Sequence, residues 1–165
     1  MAKRKQWGNA AVKAALKNGL KVSTGVKKKS TKKEYLFGVK PMGKPRQSSS
    51  DRWKKRPVVM RYRAYADELR LTAKQLGYEL ESTLNITFVV PYPKSYLTKK
   101  GNLVKSKKHL VPGTPHQLKP DIDNMAKAFM DALAKDDRFV HTLNARKVWG
   151  MEGKIIVYKS SDNNG

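Results

Sequence analysis

The chain has no cysteine, which excludes disulfide bridges and every metal site built on thiolates. A reducing cytoplasm is compatible with that composition. It also lacks long apolar runs. None approaches the roughly 20 residues of a membrane span, so no membrane partner is expected. The charged start has no apolar core of the kind a signal peptide carries, so export is not expected either. The scarcest commodity is negative charge. Only 13 Asp and Glu face 36 Lys and Arg, a formal charge of +23 in 165 residues. A pI near 10.3 is the electrostatic footprint of a protein that neutralises phosphates, which points to nucleic acid. A membrane-surface protein and a ribosomal-type RNA binder are the other classes such a composition admits. The length allows one domain with a core, plus extra segments.

Residues 1–33 contain no acid and end in a lysine-rich run. Asn9 to Lys17 has the makings of a short helix, with Asn9 as N-cap and Asn18-Gly19 as its stop. We read the whole segment as a basic, flexible arm that orders on DNA. The folded domain is expected over residues 34–160, with 161–165 as a disordered tail. Tyr35, Phe37 and Val39 alternate with Leu36 and Gly38, a first strand ending near Pro41. A basic, serine-containing loop follows from Gly43 to Pro57. Tyr62, Tyr65, Ala66, Leu69, Ala73 and Leu76 then recur at helical spacing over Val58 to Leu76, stopped by Gly77. Leu84, Ile86, Phe88 and Val90 alternate as a second strand. A long lysine-rich loop, functional or disordered by its length, leads to a second helix over Asn124 to Ala134. Phe139 to Trp149 and Lys154 to Tyr158 read as closing strands, turning near Gly150 and Gly153. The fold class is α+β: a small mixed β-sheet packed with two main helices.

Against this cationic background, Lys119-Pro120-Asp121-Ile122-Asp123-Asn124 and the later Asp136-Asp137 concentrate carboxylates. Two residues apart on a helix, Asp121 and Asp123 would point roughly 200° apart, whereas in extended backbone they share a face. Pro120 biases Lys119 towards extended conformations, and Asp123 or Asn124 is a good N-cap. The pair is therefore expected where a strand-like approach meets a helix N-terminus. Converging acids repel, and a shared proton or a divalent cation relieves that. Oxygen donors without cysteine favour Mg²⁺ or Mn²⁺. A plainer reading has one Asp capping the helix and the other exposed. Lys127 lies four residues after Asp123 on the same helix face, within reach of a metal-held phosphate. Asp131 is four further on, so a simple Asp123–Lys127–Asp131 surface ladder is also open.

The run KPDIDNMAKAFMDAL followed by KDDRFV resembles the signature of RusA-type Holliday junction resolvases, a family common in phages and prophages. The likeness extends over most of Glu34 to Tyr158, taking in the Pro41-Met42-Gly43-Lys44-Pro45-Arg46 loop and His116. It implies metal-binding aspartates at Asp121, Asp123 and Asp137, a catalytic lysine at Lys127, and a basic residue at Lys147 on the following strand. The spacing between helix and doublet is shorter than usual in the family, which leaves open whether Asp136 substitutes for Asp137. The resemblance further implies a Mg²⁺-dependent endodeoxyribonuclease in a bacterial or phage-infected cytoplasm. It would work as a homodimer on branched DNA and resolve four-way junctions by paired symmetric nicks. The Val58–Leu76 helix and the Leu84–Val90 strand are candidate interface elements.

The phosphate contacts expected are Lys44, Arg46, Lys54, Lys55, Arg56, Lys99, Lys100, Lys105, Lys107, Lys108, Lys119 and Lys147. Two rivals compete with this reading. Pro120-Asp121 with Glu152-Gly153-Lys154 mimics the PD-(D/E)xK pattern, but Glu152 sits between glycines and the pattern ignores Asp123. The second is a non-catalytic basic DNA- or RNA-binding protein on the same scaffold. His109, His116 and His141 lack zinc-like spacing and are expected on the surface or in DNA-facing loops. Whatever the catalysis, log affinity for DNA should fall with log salt at a slope of about −0.9 per phosphate neutralised. A shallow slope in a salt titration would count against extensive backbone contact.

Overall fold

A computed structural model of the protein describes residues 33–134 and 136–160. The basic arm, apart from Lys33, and the 161–165 tail therefore lie outside the described residues, as does the Asn9–Lys17 helix. Four strands form one mixed sheet: β1 (Glu34–Phe37), β2 (Thr83–Pro91), β3 (Thr142–Gly150) and β4 (Lys154–Tyr158). Two helices, α1 (Pro57–Leu76) and α2 (Ile122–Leu133), pack against it and against each other. The sheet order is β1-β4-β2-β3, with β4 antiparallel to both neighbours and β2 parallel to β3. The α+β expectation holds. The last two strands, though adjacent in sequence, do not pair with each other, because β4 crosses over to insert between β1 and β2.

Alternation decides which side each strand buries. Tyr35, Phe37, Leu84, Ile86, Phe88, Ile155 and Val157 turn towards the helices and form the core with Leu69, Met125 and Phe129. Phe37 meets Phe129 and Tyr78 edge-on, each with ring centroids 5.5 Å apart. Such aromatic pairs contribute about 0.5–1.5 kcal/mol beyond burial. Tyr78 reaches this position because Gly77 ends α1 in the left-handed region at φ 62°, letting the Tyr78 amide bond back to the Ala73 carbonyl. The opposite face aligns Leu36, Ile156, Thr87 and Arg146 in one row. Leu36 is exposed there, and Ile156 and Thr87 are only half-buried.

Several boundaries differ from expectation. β1 is shorter, and Phe139 lies in a 3-10 turn (Asp137–Phe139), so β3 starts only at Thr142. Helix α2 begins at Ile122 with Asp121 as its N-cap, ahead of the Asp123 or Asn124 cap expected. The tyrosine stripe of α1 is core: Tyr62 and Tyr65 are buried within the protomer, and β2 is an inner strand. The tyrosines therefore offer no interface, and β2 presents only the residues of its outer face, such as the half-buried Thr87 beside Ile156.

Two connections are more ordered than their composition suggests. After Pro91, Tyr92 stacks on Trp149 at 5.3 Å and donates its hydroxyl to the Leu110 carbonyl. Tyr96 and His116 also rest on Trp149, at 5.7 and 4.2 Å. The chain then runs back along β3, with backbone bonds from Gly113 to Trp149, Trp149 to Thr114 and His116 to Lys147. The basic loop before α1 is organised by Asp51, which is 4% exposed. Its carboxylate accepts from the Ser48 amide and from the Nε and Nη2 of Arg56, whose Nη2 also donates to the Arg46 carbonyl.

The Arg56 guanidinium and the Ser48 amide hold the Asp51 carboxyl down at about 2, from an ordinary 3.8. A depressed carboxylate stabilises the fold above its unfolded value and loses that contribution as pH falls through the folded one. The stability that the Asp51–Arg56 link contributes should therefore fade as pH falls below 3.8, and the link itself should break as pH falls through about 2, which NMR of the Arg56 Nε–H would follow. Asp51→Asn should abolish that acid limb and speed trypsin cleavage after Arg52, Lys54 or Lys55 several-fold at neutral pH. Unchanged digestion would show that the pair does not hold the loop.

Candidate active site

The acidic motif is delivered by β3. Its register places Lys147 beside Phe88, whose side chain faces the helices, so Lys147 leaves the strand on the helix side. There its Nζ donates to the carbonyl oxygens of Leu118 and Pro120, at 2.6 and 2.7 Å. That lysine clamps the final residues before Asp121, adjoining the cis Lys119–Pro120 peptide. Gly43 secures the other side. A Cβ there would lie 2.6 Å from Asn124 Nδ2 and 2.9 Å from Pro120 Cβ, so only glycine lets the Pro41–Arg46 segment approach the first turn of α2.

Asp121 caps α2 in extended conformation without using its carboxylate for a capping hydrogen bond, and Asp123 follows in the first helical turn. Both are exposed, and both line an open cavity of about 480 Å³ with Pro115, His116, Arg146 and Lys147 among its other walls. Neither is within salt-bridge distance of a cation among the described residues. Two acids without an ion pair thus face one pocket of a strongly cationic chain. The positive end of the helix dipole and the cationic wall favour negative charge here.

The third expected acid stands apart. Among the described residues, no group of three or more His, Asp and Glu is gathered closely enough to hold a metal ion. Asp136 is committed to Arg138, whose Nε and Nη2 donate to it at 2.6–2.9 Å. Asp137 makes no such pair and does not line the Asp121–Asp123 cavity. Its charge is felt at Lys44 instead. The Lys44 ammonium holds its proton more tightly than usual, first through its hydrogen bond to Asp131, with smaller contributions that include Asp137. Lys127 is exposed, one turn on from Asp123. The Asp123–Lys127–Asp131 ladder does not form, because Asp131 pairs with Lys44.

The twelve cations expected at phosphates divide into two groups. Lys44, Arg56 and Lys147 hold Asp131, Asp51 and backbone carbonyls respectively, and Lys107 lies 4.7 Å over the Tyr96 ring. Arg46, Lys54, Lys55, Lys99, Lys100, Lys105, Lys108 and Lys119 are exposed. His116 departs from the surface role expected: it is 6% exposed, its Nδ1 is buried without a partner, and burial followed by the Lys147 charge lowers its pKa. Glu152 lies in the bend between β3 and β4, outside the cavity that holds Asp121. Sequence reasoning passed over Trp149 and the packing role of Gly43; the only hint of Gly43 was its place in the Pro41–Arg46 loop.

The family model described as Endodeoxyribonuclease RusA matches residues 38–158, nearly the whole described domain. The chain belongs to the RusA family. No curated protein matches it. This RusA protein is thus an endodeoxyribonuclease, of a family that acts on Holliday junctions and is generally dependent on divalent metal. The match spans Gly43, the Asp121–Asp123 turn, both acids of the doublet and Lys147.

Lys147→Met should release the Leu118 and Pro120 carbonyls and lower DNA cleavage about 10- to 100-fold through misplacement of the acids. The salt slope of DNA affinity should stay unchanged. A slope reduced by about one would instead mark Lys147 as a phosphate contact.

Proposed function

We propose that this protein resolves four-way DNA junctions by paired symmetric nicks, using Mg²⁺ (or Mn²⁺) held by Asp121 and Asp123, in a bacterial or phage-infected cytoplasm. The observation that carries the proposal is the pair of uncompensated carboxylates lining one cavity of a strongly cationic protein. The donor set fits such an ion. Mg²⁺ is commonly bound through one or two carboxylates, with waters and substrate phosphates completing its shell.

A divalent ion bound there supplies polarisation of a phosphodiester and a nucleophile at neutral pH. The chain's own groups do the rest. The N-terminal end of α2 attracts the scissile phosphate to the cavity. Lys127, one turn from Asp123, stabilises charge that develops as the phosphodiester breaks, leaving a 5′-phosphate and a 3′-hydroxyl. Asp137 is the third acid of the set, with Asp136 held by Arg138. Its participation requires a shift of the segment between α2 and β3.

Two symmetric cuts call for two sites, and a homodimer presents them about a two-fold axis. With the α1 tyrosines buried, the sheet face carrying Leu36 and Ile156 is the surface we assign to the second copy. Phosphate contact falls to the exposed cations Arg46, Lys54, Lys55, Lys99, Lys100, Lys105, Lys108 and Lys119 rather than to base reading.

The test is a synthetic four-way junction incubated with Mg²⁺, with cuts mapped on all four strands. Paired nicks on opposing strands are expected; unpaired nicks would overturn symmetric resolution. Asp123→Asn should reduce cutting at least about a hundredfold while junction binding persists. Unchanged cutting would remove Asp123 from the site.

A further inference from the structure

Trp53 is the most exposed large hydrophobic side chain among the described residues, at 82%. A lone exposed apolar residue is ordinary. The way Trp53 is presented is not. The backbone beneath it is a built pedestal: the 3-10 turn Ser49–Arg52 places the Trp53 and Lys54 amides on the Ser50 carbonyl, at 3.1 and 2.9 Å. Under that turn, Asp51 is buried and gripped by Arg56, and Arg63 of α1 donates to the Asp51 carbonyl. The indole thus projects from a fixed support rather than from a slack loop.

Its surroundings define what it can meet. Arg52, Lys54 and Lys55 flank it and are exposed, and Arg63 lines the same shallow pocket. The only acid between Gly43 and Pro57 is Asp51, already neutralised by Arg56. A flat π surface ringed by free cations suits a ligand that offers an aromatic face with anionic groups close by. A nucleobase with its neighbouring phosphates has that chemistry. A continuous duplex hides its base faces inside the stack, whereas a branch point exposes some. The segment also begins at the acid site, where Gly43 packs on Asn124 and Pro120 and Lys44 pairs with Asp131 of α2.

We infer that Trp53 stacks on a base exposed where DNA strands branch, and that this contact contributes selectivity for branched over linear DNA. The inference rests on the branched-DNA reading above, but it concerns recognition and is separable from cutting. The test therefore uses the full chain without divalent metal. Affinities of wild type, Trp53→Ala and Trp53→Phe are compared on a four-way junction and on a linear duplex of the same sequence.

Trp53→Ala should weaken junction binding by about 5- to 150-fold, the range of one base–aromatic stack, with duplex affinity and salt slope unchanged. Trp53→Phe should recover most of the loss. A 2-aminopurine at the branch point should change fluorescence with wild type and not with Trp53→Ala. The melting temperature should not move, since the side chain is exposed. A junction preference that survives Trp53→Ala, an equal loss on both DNAs, or a change of oligomeric state in the variant would each overturn the inference. The last of these would assign Trp53 to a second copy of the chain. Equal binding of both DNAs by wild type would overturn the branched-substrate reading together with it, whereas loss of cutting in Asp123→Asn leaves it standing.

Discussion

Lys147 holds the acid site in place from the strand opposite it. Its ammonium binds two carbonyls just ahead of Asp121, where a surface lysine would ordinarily reach into water. A charge-assisted bond to a carbonyl is stronger than a neutral one, and two from one Nζ fix both ends of a short segment. The backbone ladder from Gly113 to His116 delivers that segment along β3, and Trp149 supports the ladder by stacking on Tyr92 and packing at a tilt against His116. Remove the clamp, and the N-terminus of α2 keeps its helix but loses the register that aims Asp121 and Asp123 into one cavity.

The charge pattern follows a division of labour. Cations with internal partners build the domain: Arg56 orders the basic loop through Asp51, and Lys44 ties the start of that loop to α2 through Asp131. The other acids with partners, Asp67 and Asp136, are matched by Arg70 and Arg138 on their own segments. Exposed pairs of that kind contribute little stability, about 0–1 kcal/mol. Asp121 and Asp123 differ from the other acids without an ion pair in lining one cavity together, a local negative site within a positive field. That field concentrates phosphates at the surface, and under the proposed function the two acids are the groups that would recruit a divalent cation there.

Much of this was legible in the sequence where the signal is local. The α1 stripe from Tyr62 to Ala73 and the alternation from Leu84 to Phe88 name their own buried faces, because 3.6 and 2 are periods a short window can carry. The order of the sheet was not. Nothing near Lys154–Tyr158 says that β4 lies between β1 and β2, since that placement depends on pairing with residues far away in the chain. The cap of α2 was misplaced for the same reason. Asp121, Asp123 and Asn124 are all competent caps, and the choice is made remotely by Gly43 and Lys147. His116 and Trp149 also meet across a gap that no periodicity spans.

The acidic doublet shows how a family pattern and a local rule divide the information. The resemblance points to Asp137, and only the shortened spacing keeps Asp136 open as its substitute. Arg138, two residues after Asp136, can loop back onto it, and its bonds to both carboxylate oxygens with a backbone bond from its own amide make a compact turn. Asp137 makes no ion pair, is half-buried, and is close enough to Lys44 and Arg138 for its charge to be felt at both. The same lysine is bound to Asp131 at the end of α2. Lys44 therefore joins the basic loop electrostatically to both α2 and the doublet. The segment that carries the exposed cations and the segment that carries Asp137 are coupled through one ammonium group, so a movement of either changes the charge environment of the other.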